Sequence, residues 1–208
     1  GPAPAPAVAP TAAADLCGGR PACHASGVFI TEVSRVTQPA KTNYANELMV
    51  TVAFRATNHG ATPLILGFNA DSGQMIDQYG ERWTVRSVHR DRVGGIGMVR
   101  RGSADPQFAL QPGESRPFTL GFSRTGKPNG ATAFSADIVL AQLEILPGNQ
   151  IRTVREHAVS FPQLAIGSLA APAALPAPSA GDGAAIGAAD PADAIKALRD
   201  LRDLFKKR

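Results

Sequence analysis

Residues Leu48 to Phe68 read LMVTVAFRATNHGATPLILGF. The first half alternates: Leu48, Val50, Val52 and Phe54 fall on one side of an extended chain, while Thr51, Ala53 and Arg55 fall on the other, because successive side chains on a strand point to opposite faces. Asn58, His59 and Gly60 then supply a turn, and Pro63 to Phe68 form a nearly continuous apolar run suited to a strand close to a core. Two such strands around a tight turn point to an antiparallel sandwich. The segment contributes no catalytic group.

Working outward, the same grammar repeats. Gly27 to Thr37 (GVFITEVSRVT) alternates around β-branched residues and reads as the first core strand, with Pro39 to Asn46 as a connector. On the far side, Gln74 to Asp77 and Arg82 to Val88 read as two arms around Gln78-Tyr79-Gly80-Glu81, where Gly80 can take the positive φ of a hairpin turn. Trp83, the only tryptophan, is expected to anchor the core. Residues 89 to 106, HRDRVGGIGMVRRGSADP, show no sustained period and read as the longest loop of the domain, a place where function or mobility concentrates. Gln111-Pro112-Gly113-Glu114 is placed for a type II turn. Phe118, Leu120 and Phe122 alternate as a strand, Thr125 to Ala131 is a loop, and Ser135 to Leu146 with Ile151 to Phe161 form a final hairpin around Pro147-Gly148-Asn149. Seven or eight short strands at this spacing predict an immunoglobulin-like antiparallel β-sandwich over 24–165, with Greek-key connections.

The ends differ in composition. Residues 1–14, GPAPAPAVAPTAAA, are almost wholly Ala and Pro and cannot offset ordering entropy by burial, so they read as an extended leader. Gly1-Pro2 resembles the scar of a cleaved tag, and a mature secreted protein would begin about there. Residues 1–23 thus comprise the leader and a small loop. That loop lies between Cys17 and Cys23, the two cysteines of the chain, whose intervening Gly18-Gly19-Arg20-Pro21-Ala22 suits a local disulfide of an oxidising compartment. A metal pair completed by His24 would lack two further ligands, and a haem attachment would want a shorter spacer. Residues 166–190 are rich in Ala, Pro, Gly and Ser and read as a flexible linker. Asp190-Pro191-Ala192-Asp193 then supplies an N-cap, a first-turn proline and an early acid, which predicts an amphipathic helix over 191–208. Its apolar stripe holds Ile195, Leu198, Leu201, Leu204 and Phe205.

The formal net charge is +4, and Arg82, Arg86, Arg90, Arg92, Arg100 and Arg101 gather within the segment 82–101. Arg86, Arg90, Arg92, Arg100 and Arg101 are therefore candidate contacts for an anionic surface such as lipopolysaccharide. Nucleic acid is disfavoured, because Trp83 alone offers a stacking platform nearby. The Gly94-Gly95-Ile96-Gly97 run lacks the spacing of a phosphate-binding loop. Gly121-Phe122-Ser123-Arg124-Thr125-Gly126 is one residue off the nucleophile-elbow pattern and is followed by a loop, not a helix. Asp71 and Asp77 lack the alternating oxygen spacing of a calcium loop. His24, His59, His89 and His157 are far apart in sequence, and none has a second ligand at i+2 or i+4. No uninterrupted apolar stretch is long enough to span a bilayer.

Asn58-x-Gly60-x-x-Pro63, then Asp77-x-x-Gly80-Glu81, then Leu110-x-Pro112-Gly113-Glu114-Ser115 before an alternating strand resemble the order of features in DUF4352-type immunoglobulin-like domains of exported bacterial proteins and lipoproteins. The resemblance covers about residues 27–165 and rests on turn residues. It implies a binding or structural module with no catalytic motif to transfer. The expectation is a non-enzymatic, periplasmic or secreted adaptor of a Gram-negative type envelope, monomeric and without cofactor. Its tethered helix would dock on another envelope protein or an anionic membrane surface. The alternative is a carbohydrate- or lipid-binding module using the sandwich loops, with an enzyme as the third class.

Overall fold

The computed structural model describes residues 16–86, 89–101 and 103–168. The chain there is mainly β and builds one open sheet. In chain order the strands are β1 (Cys23–Ala25), β2 (Phe29–Val36), β3 (Ala40–Lys41), β4 (Glu47–Asn58), β5 (Leu64–Asn69), β6 (Gln74–Asp77) and β7 (Arg82–Val85). After a 3₁₀ turn at Arg90–Arg92 follow β8 (Val93–Gly94), β9 (Gly97–Arg100), β10 (Ser103–Ala104), β11 (Phe108–Leu110), β12 (Ser115–Thr125), β13 (Ala133–Leu146), β14 (Gln150–Ala165) and β15 (Gly167–Ser168).

Hydrogen bonding sorts these strands into two groups. One runs β1–β2–β4–β12, with β8 on the far side of β12; the other has β13 between β14 on one side and β5 and β6 on the other. β7 joins them by pairing with both β6 and β12. The inward side chains of the two groups meet in one core. Val50, Val52 and Phe54 of β4 are fully buried, as their alternation requires, and the Phe54 ring lies 5.7 Å from that of Phe161 on β14. Phe29 of β2 meets His157 of β14 edge-on at 5.0 Å, and Trp83 is fully buried against Phe134 at 6.0 Å.

The turn at Asn58 does not make a hairpin. β4 pairs with β2, β3 and β12, and β5 with β9, β11 and β13, so the turn carries the chain from one group of strands to the other. Asn58 holds the crossing: its Nδ2 donates to the carbonyls of Thr62 (2.8 Å) and Leu110 (3.1 Å), and its Oδ1 accepts from the Gly60 amide (2.8 Å). The β6–β7 turn is pinned in a similar way by Asp77. Its Oδ1 accepts from the amides of Tyr79 and Glu81, and its Oδ2 from Trp83 Nε1 (3.2 Å) and Asn129 Nδ2 (2.8 Å). With both oxygens occupied by N–H donors, this carboxylate is a turn pin, not a cation ligand. Gly80 has the positive φ expected of it, +82°, and the Gln111–Glu114 turn closes with a 2.9 Å hydrogen bond between its ends.

Residues 89–106 differ from the expected loop. They contain the 3₁₀ turn and three short strands, with β8 added to β12, β9 running parallel to β5, and β10 returning along β9. Strands of two to four residues carry too little sequence for a period to show, and they form because neighbouring strands offer open edges. Gly97 serves that packing: a Cβ there would lie 2.0 Å from the Asp105 carbonyl oxygen. Close approach, not mobility, explains this glycine.

The outer edge of β14 is guarded. The Ser160 amide, which points away from β13, donates to His24 Nδ1 of β1 at 3.3 Å. Pro162, two residues on, has no N–H to offer, and the register shift opposite Gln142 and Leu143 leaves Val154 as an extra, unpaired residue. Proline, a bulge and a covering side chain each oppose edge-to-edge association.

Candidate binding surface

The arginine-rich segment is fastened to the outside of the first strand group through Arg92. Glu47 and Met49 project from the face of β4 opposite Leu48 and Val50, and Gly121 and Ser123 from the matching face of β12. The Arg92 side chain lies across them and is almost wholly buried. Its Nη2 donates to Glu47 Oε2 at 2.7 Å, its Nη1 meets Met49 Sδ, and the guanidinium sits 5.7 Å from the Tyr44 ring centroid. Gly121 leaves the room, since a Cβ there would stand 3.3 Å from Arg92 Cδ.

Around this ion pair the polar groups interlock. Thr42 Oγ1 donates to Glu47 Oε2 at 2.6 Å, and Arg86 Nε stands 3.8 Å from Glu47 Oε1. Tyr44 Oη and His89 Nδ1 are 3.0 Å apart, closing the outer side. Burial alone would push the Glu47 carboxyl up. The hydrogen bonds from Thr42 and Ser123 and the charges of Arg92 and Arg86 outweigh it, and the group titrates below the ordinary glutamate range.

Arg92 therefore leaves the set of anion contacts expected from sequence. An exposed basic loop was the expectation; the guanidinium instead neutralises a buried carboxylate 45 residues away in sequence. Arg86 is half-exposed, bonded through Nη2 to Thr125 Oγ1 at 3.4 Å. Arg90 opens the 3₁₀ turn, and its side chain lies outside the described residues. Arg100 on β9 donates to Met98 Sδ at 3.7 Å, and Arg101 is exposed in the turn that follows. Arg86, Arg100 and Arg101 are thus exposed, whereas Arg92 is buried.

Beside that segment lies an open cleft of about 490 Å³. Val93, Ile96 and Met98 give it apolar walls continuous with the core, and Arg100, Ser103 and Asp105 line it with polar groups. A second depression, of about 470 Å³, flanks β7 and is lined by Asp71, Gln74, Arg82, Thr84 and Arg86 among others. The cleft is open to solvent and brings apolar and polar groups together.

The remaining candidates are distributed elsewhere. Cys17 and Cys23 are disulfide-bonded, with Cα atoms 5.5 Å apart. Ser123 is buried in β12 beside the Glu47 carboxylate, on the face that Arg92 crosses. His157 is buried and stands 3.4 Å from Gln142 Oε1; burial and the Arg155 charge lower its pKa. Ile195, Leu198, Leu201, Leu204 and Phe205, proposed from sequence as a partner-binding stripe, lie outside the described residues.

No family model matches this chain, and no curated protein does. Among solved structures, the Northeast Structural Genomics Consortium target SoR45 aligns at 11% identity over 76% of this chain and 98% of its own, with a TM-score of 0.37. A conserved hypothetical protein from Bacillus anthracis aligns at 10% identity over 66% of this chain and 91% of its own, with a TM-score of 0.33. Similarity at this level bears on neither fold family nor function.

Proposed function

We propose that this chain works by binding, as a non-enzymatic exported module of a bacterial envelope, periplasmic or secreted. In this reading the strand groups form an immunoglobulin-like sandwich of the DUF4352 type that acts as scaffold. The pinned segment 89–101 presents Arg100 and Arg101, with Arg86 beside it, and the stripe Ile195, Leu198, Leu201, Leu204 and Phe205 docks on another envelope protein or an anionic membrane surface. The observation that supports it best is the buried Arg92–Glu47 pair, which holds a basic, cleft-bearing segment in one shape on the outside of the sheet. The disulfide is compatible with an oxidising, exported compartment.

The test is co-sedimentation of the full chain with phosphatidylglycerol-containing vesicles at low ionic strength. Binding is expected, weakening steeply by about 0.5 M salt as exposed charges are screened, and lost on Leu201→Asp. Absence of binding, or binding indifferent to Leu201→Asp, would remove the helix-borne membrane branch, and a saturable complex with a purified envelope protein, lost on Leu201→Asp, would support the protein branch. A second reading, a carbohydrate- or lipid-binding module, is favoured by the apolar walls and polar lining of the cleft.

A further inference from the structure

The N-terminal disulfide loop is asymmetric. Arg20, at its centre, donates Nε to the Cys17 carbonyl (2.7 Å) and Nη1 to Glu32 Oε1 of β2 (2.7 Å), which fixes the guanidinium plane. Nη2 then lies 3.8 Å from Cys23 Sγ. Cys23 is held in β1 opposite Glu32, and Ala22 just before it accepts from the Val33 amide at 2.8 Å. Cys17 and Cys23 are both half-buried, and it is the Cys23 sulfur that the Arg20 guanidinium approaches.

A loop closed across six positions adds little to global stability, because a short ring removes little entropy from the unfolded chain. Its local effect is larger, since β1 also covers the Ser160 amide on the β14 edge through His24.

We propose that Cys17–Cys23 is a directional thiol-exchange site, whose substrates are small thiols and the dithiol groups of envelope oxidoreductases. An incoming thiolate attacks Cys17 Sγ, forming a mixed disulfide there, and the Cys17–Cys23 bond breaks with its electron pair passing to Cys23. Cys23 leaves as a thiolate beside the Arg20 guanidinium, whose Nη2 lies 3.8 Å from its sulfur, and a leaving thiolate next to a positive charge departs faster. A second thiolate, from the same dithiol or another monothiol, then attacks the sulfur of the incoming group. It releases Cys17 as a thiolate and carries away the oxidised disulfide product. Two electrons pass from the thiols to the protein. Both cysteines end reduced, and β1 loses the covalent tie that holds it over the β14 edge.

Brief exposure of the oxidised full chain to reduced glutathione, with acid quenching and peptide fragmentation, reads the direction. The glutathionyl group is expected on Cys17, with Cys23 as the free thiol. Arg20→Gln is expected to slow the opening roughly three- to tenfold, as the leaving group loses its positive neighbour. An adduct on Cys23, or one shared equally between the two sulfurs in the native protein, overturns the proposal whatever the variant does. An unchanged opening rate in a folded Arg20→Gln protein overturns the role given to Arg20.

Discussion

Arg92→Met is expected to lower the unfolding midpoint by roughly 10 °C, because it leaves the Glu47 carboxylate buried without its cation. Breaking a buried pair from one side costs about 3–5 kcal/mol, and in a domain of this size each kcal/mol corresponds to about 2–4 °C. The cost belongs to the orphaned charge and not to the pair as such. The double variant Glu47→Leu with Arg92→Met should therefore recover most of the loss, since two apolar groups of similar volume need no partners. Thermal unfolding of wild type, both single variants and the double variant checks this. A single variant within about 1 kcal/mol of wild type would mean that the pair is solvated and the segment is not pinned by it.

Asp77→Ala should be comparably damaging, at about 3 kcal/mol, since four N–H donors lose one acceptor and Trp83 Nε1 is left unpaired inside the core. Denaturant unfolding at neutral pH measures the loss. The same group gives an acid signature. Burial raises its pKa, but the hydrogen bonds from Asn129, Glu81, Trp83 and Tyr79 prevail and hold it below the ordinary aspartate value. A carboxyl whose folded pKa is depressed contributes stability that is complete above its unfolded value, about 3.9, and is lost as pH falls through the lower folded value. Asp77→Ala should accordingly flatten the fall in stability below about pH 4, while the depressed Glu47 carboxyl retains its own share. An equally steep acid limb in the variant would show that Asp77 does not titrate as its donors require.

The contrast between these two residues and the opening strand shows what could be read from sequence. Leu48 to Phe54 declares itself because alternation over several residues has one physical cause, burial of one face, and all four inward side chains are buried as their spacing requires. The turns at Gly80 and Pro112-Gly113 are legible because backbone geometry restricts which residues fit them. Trp83 is legible because so large an apolar surface must find a core. Glu47 gives no such signal: at the start of a strand and on its outer face it resembles any solvated acid, and Arg92 lies in a stretch without period. Only the strap crossing the sheet makes the pair. Asp77 shows that a turn residue is recognisable while its four donors, one of them on the distant Asn129, are not. The glycines of 89–106 misled for a related reason, since Gly97 marks a backbone approach whose other member, Asp105, is set by tertiary structure.

Backbone amide order parameters over 89–101 in this chain test most directly the claim that this basic segment is a built surface and not a loop. Values near those of rigid strands, about 0.85, are expected there, matching β4 and β12. Values below about 0.6 over the same residues, with β4 and β12 rigid, would contradict it.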